Sequence, residues 1–227
     1  KRQEYRRYAS DIRSTCTFVR FSVDASNPIT YSRLHRADAD QWHLLLANIN
    51  DCCRAGSPDT GMAFLVHPEN YLEIFDFCNL GRELGVDYVQ IRPVWMPQFQ
   101  LSRKIVDSVI RQVRQYMAEY DSPKVHIRMD RFDEILNHNR GFSQCLASPL
   151  VSVIGADLNV YLCCQTRGNP DMVFGNLEIG SFKDIWLGER RKKIVENIDV
   201  SKCPPCRYRT YNITLNQLKE ADHINFL

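Results

Sequence analysis

Four cysteines in the last third of the chain, Cys145, Cys163, Cys203 and Cys206, are spaced C-x17-C-x39-C-x2-C. Thiolate sulfur is a soft ligand, and four of them suit either zinc or an iron–sulfur cluster. A fold that uses all four has to bring separate segments to one place. In Cys203-Pro204-Pro205-Cys206 the two prolines remove backbone donors and stiffen the turn that presents both sulfurs. The residues alone leave zinc and iron–sulfur equally open, with unliganded core thiols as a third reading. Cys163 and Cys164 compete for the second position, because neighbouring strand residues point to opposite faces. Cys16, Cys52, Cys53 and Cys78 have no partners at ligand spacing and read as ordinary core or surface thiols.

All nine cysteines bear on the compartment. Nothing suggests export, so a reduced, cytoplasmic, metal-binding protein accounts for them better than a disulfide framework. A net charge of +2, from 29 basic and 27 acidic residues, gives no support to nucleic-acid binding. The basic clusters at Lys1 to Arg7 and Arg190 to Lys193 read as solvated helix faces. No apolar run approaches the roughly 20 residues of a membrane helix, and no signal peptide is evident. The chain starts at Lys1 rather than Met, which points to a piece of a longer protein.

Upstream, strand and helix patterns alternate. Phe18 to Val23 reads as a strand and Asn27-Pro28 as a loop. A helix through Trp42, Leu45, Leu46 and Ile49 follows, capped by Asp38 or Asp40 and ended by Gly56-Ser57-Pro58. Met62 to Val66 reads as a buried strand, and Glu69 to Leu84 as a helix stopped at Gly85. Val86 to Ile91 is a strand, Leu101 to Tyr120 an amphipathic helix, and Val125 to Met129 a fourth strand. This alternation predicts βαβ units and a parallel sheet with right-handed crossovers. Four strands are too few for an eight-unit barrel, so the sheet is open or part of a barrel. After about Gly141 the pattern changes. Short β runs at Val151 to Ile154 and Val160 to Leu162 predict a hairpin, and Ser181 caps a helix from Phe182 to Ile198 in a capping box with Asp184. The tail from Arg207 to Leu227 reads as polar and weakly structured.

The run Asp157-Leu158-Asn159-Val160-Tyr161-Leu162-Cys163 after Cys145 resembles the twitch/SPASM region of radical S-adenosylmethionine (SAM) enzymes. So do Phe174-Gly175-Asn176-Leu177, Ser181 to Trp186, and Cys203-Pro204-Pro205-Cys206. Arg20-Phe21-Ser22-Val23-Asp24, Phe64 to Asn70 and Leu84 to Val89 are similar to strands and turns of that family's partial barrel, so the resemblance covers nearly the whole chain. It implies an α/β fold: the C-terminal part of a partial (β/α) TIM-like barrel over residues 1–140, then a small hairpin-plus-helix twitch/SPASM-like domain over 141–227. It further implies an auxiliary [4Fe–4S] cluster on Cys145, Cys163, Cys203 and Cys206, with the family spacing favouring Cys163 over Cys164.

Further implications are SAM as cofactor of the full-length enzyme, hydrogen abstraction by a 5′-deoxyadenosyl radical, a peptide or small-molecule substrate, and an electron donor such as flavodoxin or ferredoxin. Strand-end residues would meet SAM, here Ser22, Asp24, Asn70 and Arg92; each would otherwise serve as a turn or capping residue. His67 reads as a satisfied loop histidine. Trp95, Met96 and Phe99 would line a substrate pocket or cover a hydrophobic patch.

Two departures from the family pattern stand out. The motif Cys-x-x-x-Cys-x-x-Cys, which binds the SAM-cleaving cluster, occurs nowhere in these residues, so they are expected not to cleave SAM alone. The hairpin glycine is replaced by Leu158. The alternative function is a non-catalytic scaffold or binding module stabilised by four-cysteine zinc.

Overall fold

A computed structural model describes residues 2–54, 58–95, 99, 101–137 and 140–220. Of the side chains, those of residues 2–7, 137 and 220 lie outside the description, as do the sequence expectations that fell on Gly56-Ser57, Met96 and the end of the tail. The chain divides into two units, residues 1–137 and 138–227.

The first unit opens with helix α1 (Arg2–Thr15) and then winds a sheet from β1 (Phe18–Ser22), β2 (Asp59–Val66), β3 (Tyr88–Pro93) and β4 (Lys124–Ile127). The order is β1-β2-β3-β4 and every pairing is parallel. Parallel neighbours need crossovers. These are α2 (Pro28–His35) with α3 (Ala39–Arg54), then α4 (Ile74–Leu84), then α5 (Arg103–Glu119); α6 (Met129–Asn137) follows β4.

Register sorts the side chains into two faces. Met62, Phe64 and Val66 of β2 and Val89 and Ile91 of β3 are buried on one face among Trp42, Ile49, Phe77, Val109 and Tyr116 of the helices. The other face carries Arg20, Ser22, Gln90, Arg92 and His126. Near the start of β3 on that face the Tyr88 ring lies over Gly61, where a Cβ would fall 2.2 Å from the ring. Arg20 donates to Gln90 across it at 2.9 Å.

Local signals explain most boundaries. Helix α4 stops at Gly85 (φ +77), whose N–H bonds to the Arg82 carbonyl while Val86 N–H bonds to Gly81, a Schellman ending. Ser102 caps α5 by accepting from Ile105 N–H. The stretch expected as a loop at Asn27-Pro28 is instead the start of α2. Asn27 accepts from Thr30 N–H, and Pro28 occupies the first turn, where its missing donor costs nothing. Helix α6, unread in the sequence, buries Phe132.

The second unit holds an antiparallel sheet of β5 (Val153–Ile154), β6 (Asn159–Tyr161) and β7 (Val173–Asn176). It contains one strand more than the expected hairpin, since the Phe174 to Asn176 stretch pairs with β6. Val160, Leu162 and Phe174 form its core with Trp186, Ile194 and Ile198. The single helix expected from Phe182 to Ile198 is two, α7 (Phe182–Leu187) and α8 (Glu189–Glu196). Gly188 adopts an extended conformation between them, and a Cβ there would lie 2.8 Å from the Asp184 carbonyl. Ser181 and Asp184 form the expected capping pair. Arg191 of the basic cluster is not a free surface charge: its guanidinium lies 3.8 Å from the Trp186 ring centroid. The tail is more ordered than expected, because Arg209–Glu220 forms helix α9.

Leu158 sits at the hairpin turn with φ +60. The turn holds it there through Leu158 N–H to Gly155 O and Leu177 N–H to Leu158 O, both at 3.0 Å. A left-handed conformation costs an L-residue about 1–2 kcal/mol, part of which glycine's extra unfolded-state freedom offsets. Leu158→Gly is therefore expected to stabilise this unit by about 0.5–1 kcal/mol. Urea unfolding followed by Trp186 fluorescence would check it, and a destabilised variant would show that Leu158 packing outweighs the backbone strain.

Candidate metal centre

Cys145, Cys163, Cys203 and Cys206 line one cavity of the second unit, together with Arg140, Leu162, Thr166, Ile198 and Tyr208 among others, and its walls are almost wholly apolar. Three separate segments bring the four cysteines to it. Cys145 precedes the short turn Ser148–Leu150, and Cys163 follows β6. Cys203 ends the turn Val200–Lys202, and Cys206 precedes α9. Cys163 lines this cavity while Cys164 does not; the Cys164 thiol neighbours Tyr208. Among the described residues no cysteine is in a disulfide.

Burial pushes the Cys203 thiol upward, opposed by the Arg140 guanidinium and reinforced by Cys145 and Cys163. Three sulfurs are thus close enough to feel one another, and as thiolates they would repel unless cations lay between them. Cys53 and Cys78 contrast with them: burial raises these thiols to about 11 and about 12, and neither lines the cavity. No three His, Cys, Asp or Glu side chains among the described residues converge on the position of a single ion.

The Cys-Pro-Pro-Cys turn is held from outside. Its prolines have no N–H to donate, so side chains grip its carbonyls. Arg140 donates to Pro204 O at 3.2 Å, to Ser201 O at 3.4 Å and to Cys203 O. Gln165 donates to Pro205 O at 2.8 Å. From α9, buried Asn212 accepts from Ala147 N–H at 2.9 Å and donates to Cys206 Sγ at 3.7 Å. Asn216, one turn on, donates to Gln144 O. Sequence reading missed Arg140, Gln165 and Asn212; the pair of asparagines one helical turn apart was the available signal.

In the first unit the strand-end residues divide. Ser22 and Arg92 share the sheet face away from the helices, with Ser22 exposed. Asp24 is buried just past β1 at φ +58, and Leu65 N–H donates to it at 2.7 Å. His35 Nε2 lies 3.3 Å from its other oxygen. Burial raises the Asp24 carboxyl, against the Leu65 N–H, His35 and Arg92. Asn70 is buried, and its amide is spent on the backbone. It accepts from His67 N–H and donates to the carbonyls of Asp24 and Leu65. His67 accepts from Glu69 N–H and packs edge-on against Phe99, and Trp95 lies under the Arg131 guanidinium. No helix of the described residues is long and apolar enough to cross a membrane.

Residues 145–208, which include all four cavity cysteines, match the family model of the SPASM iron–sulfur cluster-binding domain. No curated protein matches the chain. Among solved structures it is similar to a radical SAM SPASM enzyme, native anSMEcpe with bound AdoMet, with 13% identity and a TM-score of 0.51. That likeness covers 79% of this chain and 52% of that one, so the chain spans about half the length of the relative. The fold is similar to that structure's, an α/β arrangement with a parallel sheet. The match to the SPASM model covers 145–208 alone, and the structural likeness extends to the parallel sheet before it.

Proposed function

We propose that this chain is the C-terminal part of a radical SAM enzyme's barrel together with its auxiliary-cluster domain, and that Cys145, Cys163, Cys203 and Cys206 hold one [4Fe–4S] cluster. The observation that carries the reading is the gathering of all four sulfurs around one apolar cavity inside the segment that matches the SPASM family. The donor set fits the group. It is made of soft sulfurs, and a cluster takes one thiolate at each corner of a body wider than a single ion. Four-cysteine zinc, the second reading, requires the same sulfurs to close on one tetrahedral point.

The barrel side is carried over in the same spirit. Ser22 and Arg92, on the face away from the helices, would meet SAM, and Arg92 suits a carboxylate. Asp24 and Asn70 would serve by fixing the strand ends. In a full-length enzyme, SAM and a reduced barrel cluster would together supply radical chemistry for hydrogen abstraction from a peptide or small molecule, with electrons from a flavodoxin or ferredoxin. The Cys-x-x-x-Cys-x-x-Cys that such a cluster needs is absent from these 227 residues, so this stretch alone is expected not to cleave SAM.

The test is metal and sulfide analysis of protein reconstituted without oxygen, with its visible spectrum. About four irons and four sulfides per chain with broad brown absorption are expected. One zinc and no colour would overturn the redox reading.

A further inference from the structure

The cavity cysteines are met by donors from both sides of the family-matched segment: Arg140 before it and Asn212 after it. We infer that Asn212 and Arg140 are potential-setting residues, which make the cluster of the proposed function easier to reduce by donating to a ligand sulfur and by placing a cation at the Cys203 turn. The inference rests on that proposed function and goes beyond it by assigning a direction to the electron's preference.

The orientation of Asn212 is fixed by chemistry. Its Oδ1 receives the Ala147 N–H, which only an oxygen can do, so the amide nitrogen faces Cys206 Sγ. The side chain is fully buried, so water does not replace this donor. Adding one electron makes a cluster and its thiolates more negative. A donor at sulfur and a nearby cation stabilise that form more than the oxidised one, which raises the potential. Arg140 adds its charge at the carbonyls of Cys203 and Pro204, inside a cavity with little polar lining to screen it. Thr166 is a weaker third contributor. Its hydroxyl is 3.7 Å from Cys163 Sγ but closer, at 3.1 Å, to the Cys163 carbonyl, and it has one proton to give.

The experiment is an anaerobic redox titration of the reconstituted chain, with dithionite as reductant, mediator dyes and EPR detection of the reduced cluster. It compares the native protein with Asn212→Asp, Arg140→Gln and Thr166→Val. Asn212→Asp keeps the acceptor for Ala147 N–H, removes the donor at Cys206 and adds negative charge. It is expected to shift the reduction equilibrium toward the oxidised cluster about tenfold, or about 59 mV for one electron. Arg140→Gln keeps donors for the turn but loses the charge, and should shift it the same way by less. Thr166→Val should move it least.

Asn212→Asp and Arg140→Gln proteins with full iron and an unchanged potential would overturn the inference while leaving the cluster itself established. If Asn212→Asp fails to retain iron, the Arg140→Gln potential decides. If both lose iron, the two residues hold the site together and do not tune it, which also overturns the inference. A native protein without iron would overturn the proposed function, and this inference with it.

Discussion

Cys203→Ala is expected to strip the second unit of its iron, from about four per chain to less than about one, and to abolish the brown absorption. The substitution removes one of the four proposed ligands, leaving one iron corner without a thiolate, and the lost sulfur comes from the stiff turn that also presents Cys206. The same substitution at Cys164, which lies outside the cavity lining, should leave iron and colour near the native level. The pair of variants tests both the ligand set and the choice between adjacent cysteines. Equal iron in native and Cys203→Ala protein would rule out Cys203 as a ligand. Loss of iron in Cys164→Ala with retention in Cys163→Ala would reverse the assignment of the second ligand. Because the loop around Cys203 and the start of α9 are joined through these sulfurs, loss of metal should also loosen the second unit, visible as faster proteolysis near Arg207.

The second large effect lies at the strand ends. Asn70→Ala leaves one buried N–H and two carbonyls without their side-chain partner. Each such loss costs on the order of 1 kcal/mol or more, so the first unit should be destabilised by about 3 kcal/mol. Asn70→Asp would do no better, since it keeps the acceptor but removes both donations and sets a charge against two carbonyls. Urea unfolding followed by fluorescence of Trp42 and Trp95 reads the effect. A change below about 0.5 kcal/mol would show the amide to be idle in the free protein and available to a ligand. The expectation that Asn70 contacts a cofactor directly thus competes with a structural role that uses both of its N–H donors and one lone pair of its oxygen.

The parallel sheet was legible because each strand is a short apolar or alternating run and each crossover has its own punctuation, such as Gly85 or Ser102. What failed to show were signals with two meanings. Asn27-Pro28 is equally a turn and the start of a helix, and Glu73, which accepts from Ser26 and Thr30, helps tie that segment down. Gly188 inside an otherwise helical pattern gave no warning of a break, because the close approach of the Asp184 carbonyl is a property of the folded backbone. Helix α9 read as polar since two of its inward positions are asparagines rather than leucines. The same division applies to the site. The sulfurs announce themselves by type and spacing. The residues that orient and polarise them do not, because Arg140 and Asn212 are ordinary polar residues until the chain folds.

Helix α9 also bears on how the domain should be handled. The family boundary falls at residue 208, one residue before the helix begins. A shortened version trimmed to that boundary would discard Asn212 and Asn216, uncover the backbone of Gln144 and Ala147 beside the first cysteine, and leave Cys206 at a fraying end. Expression of this domain by itself therefore calls for a right-hand border beyond Glu220, and for a left-hand border early enough to keep Arg140.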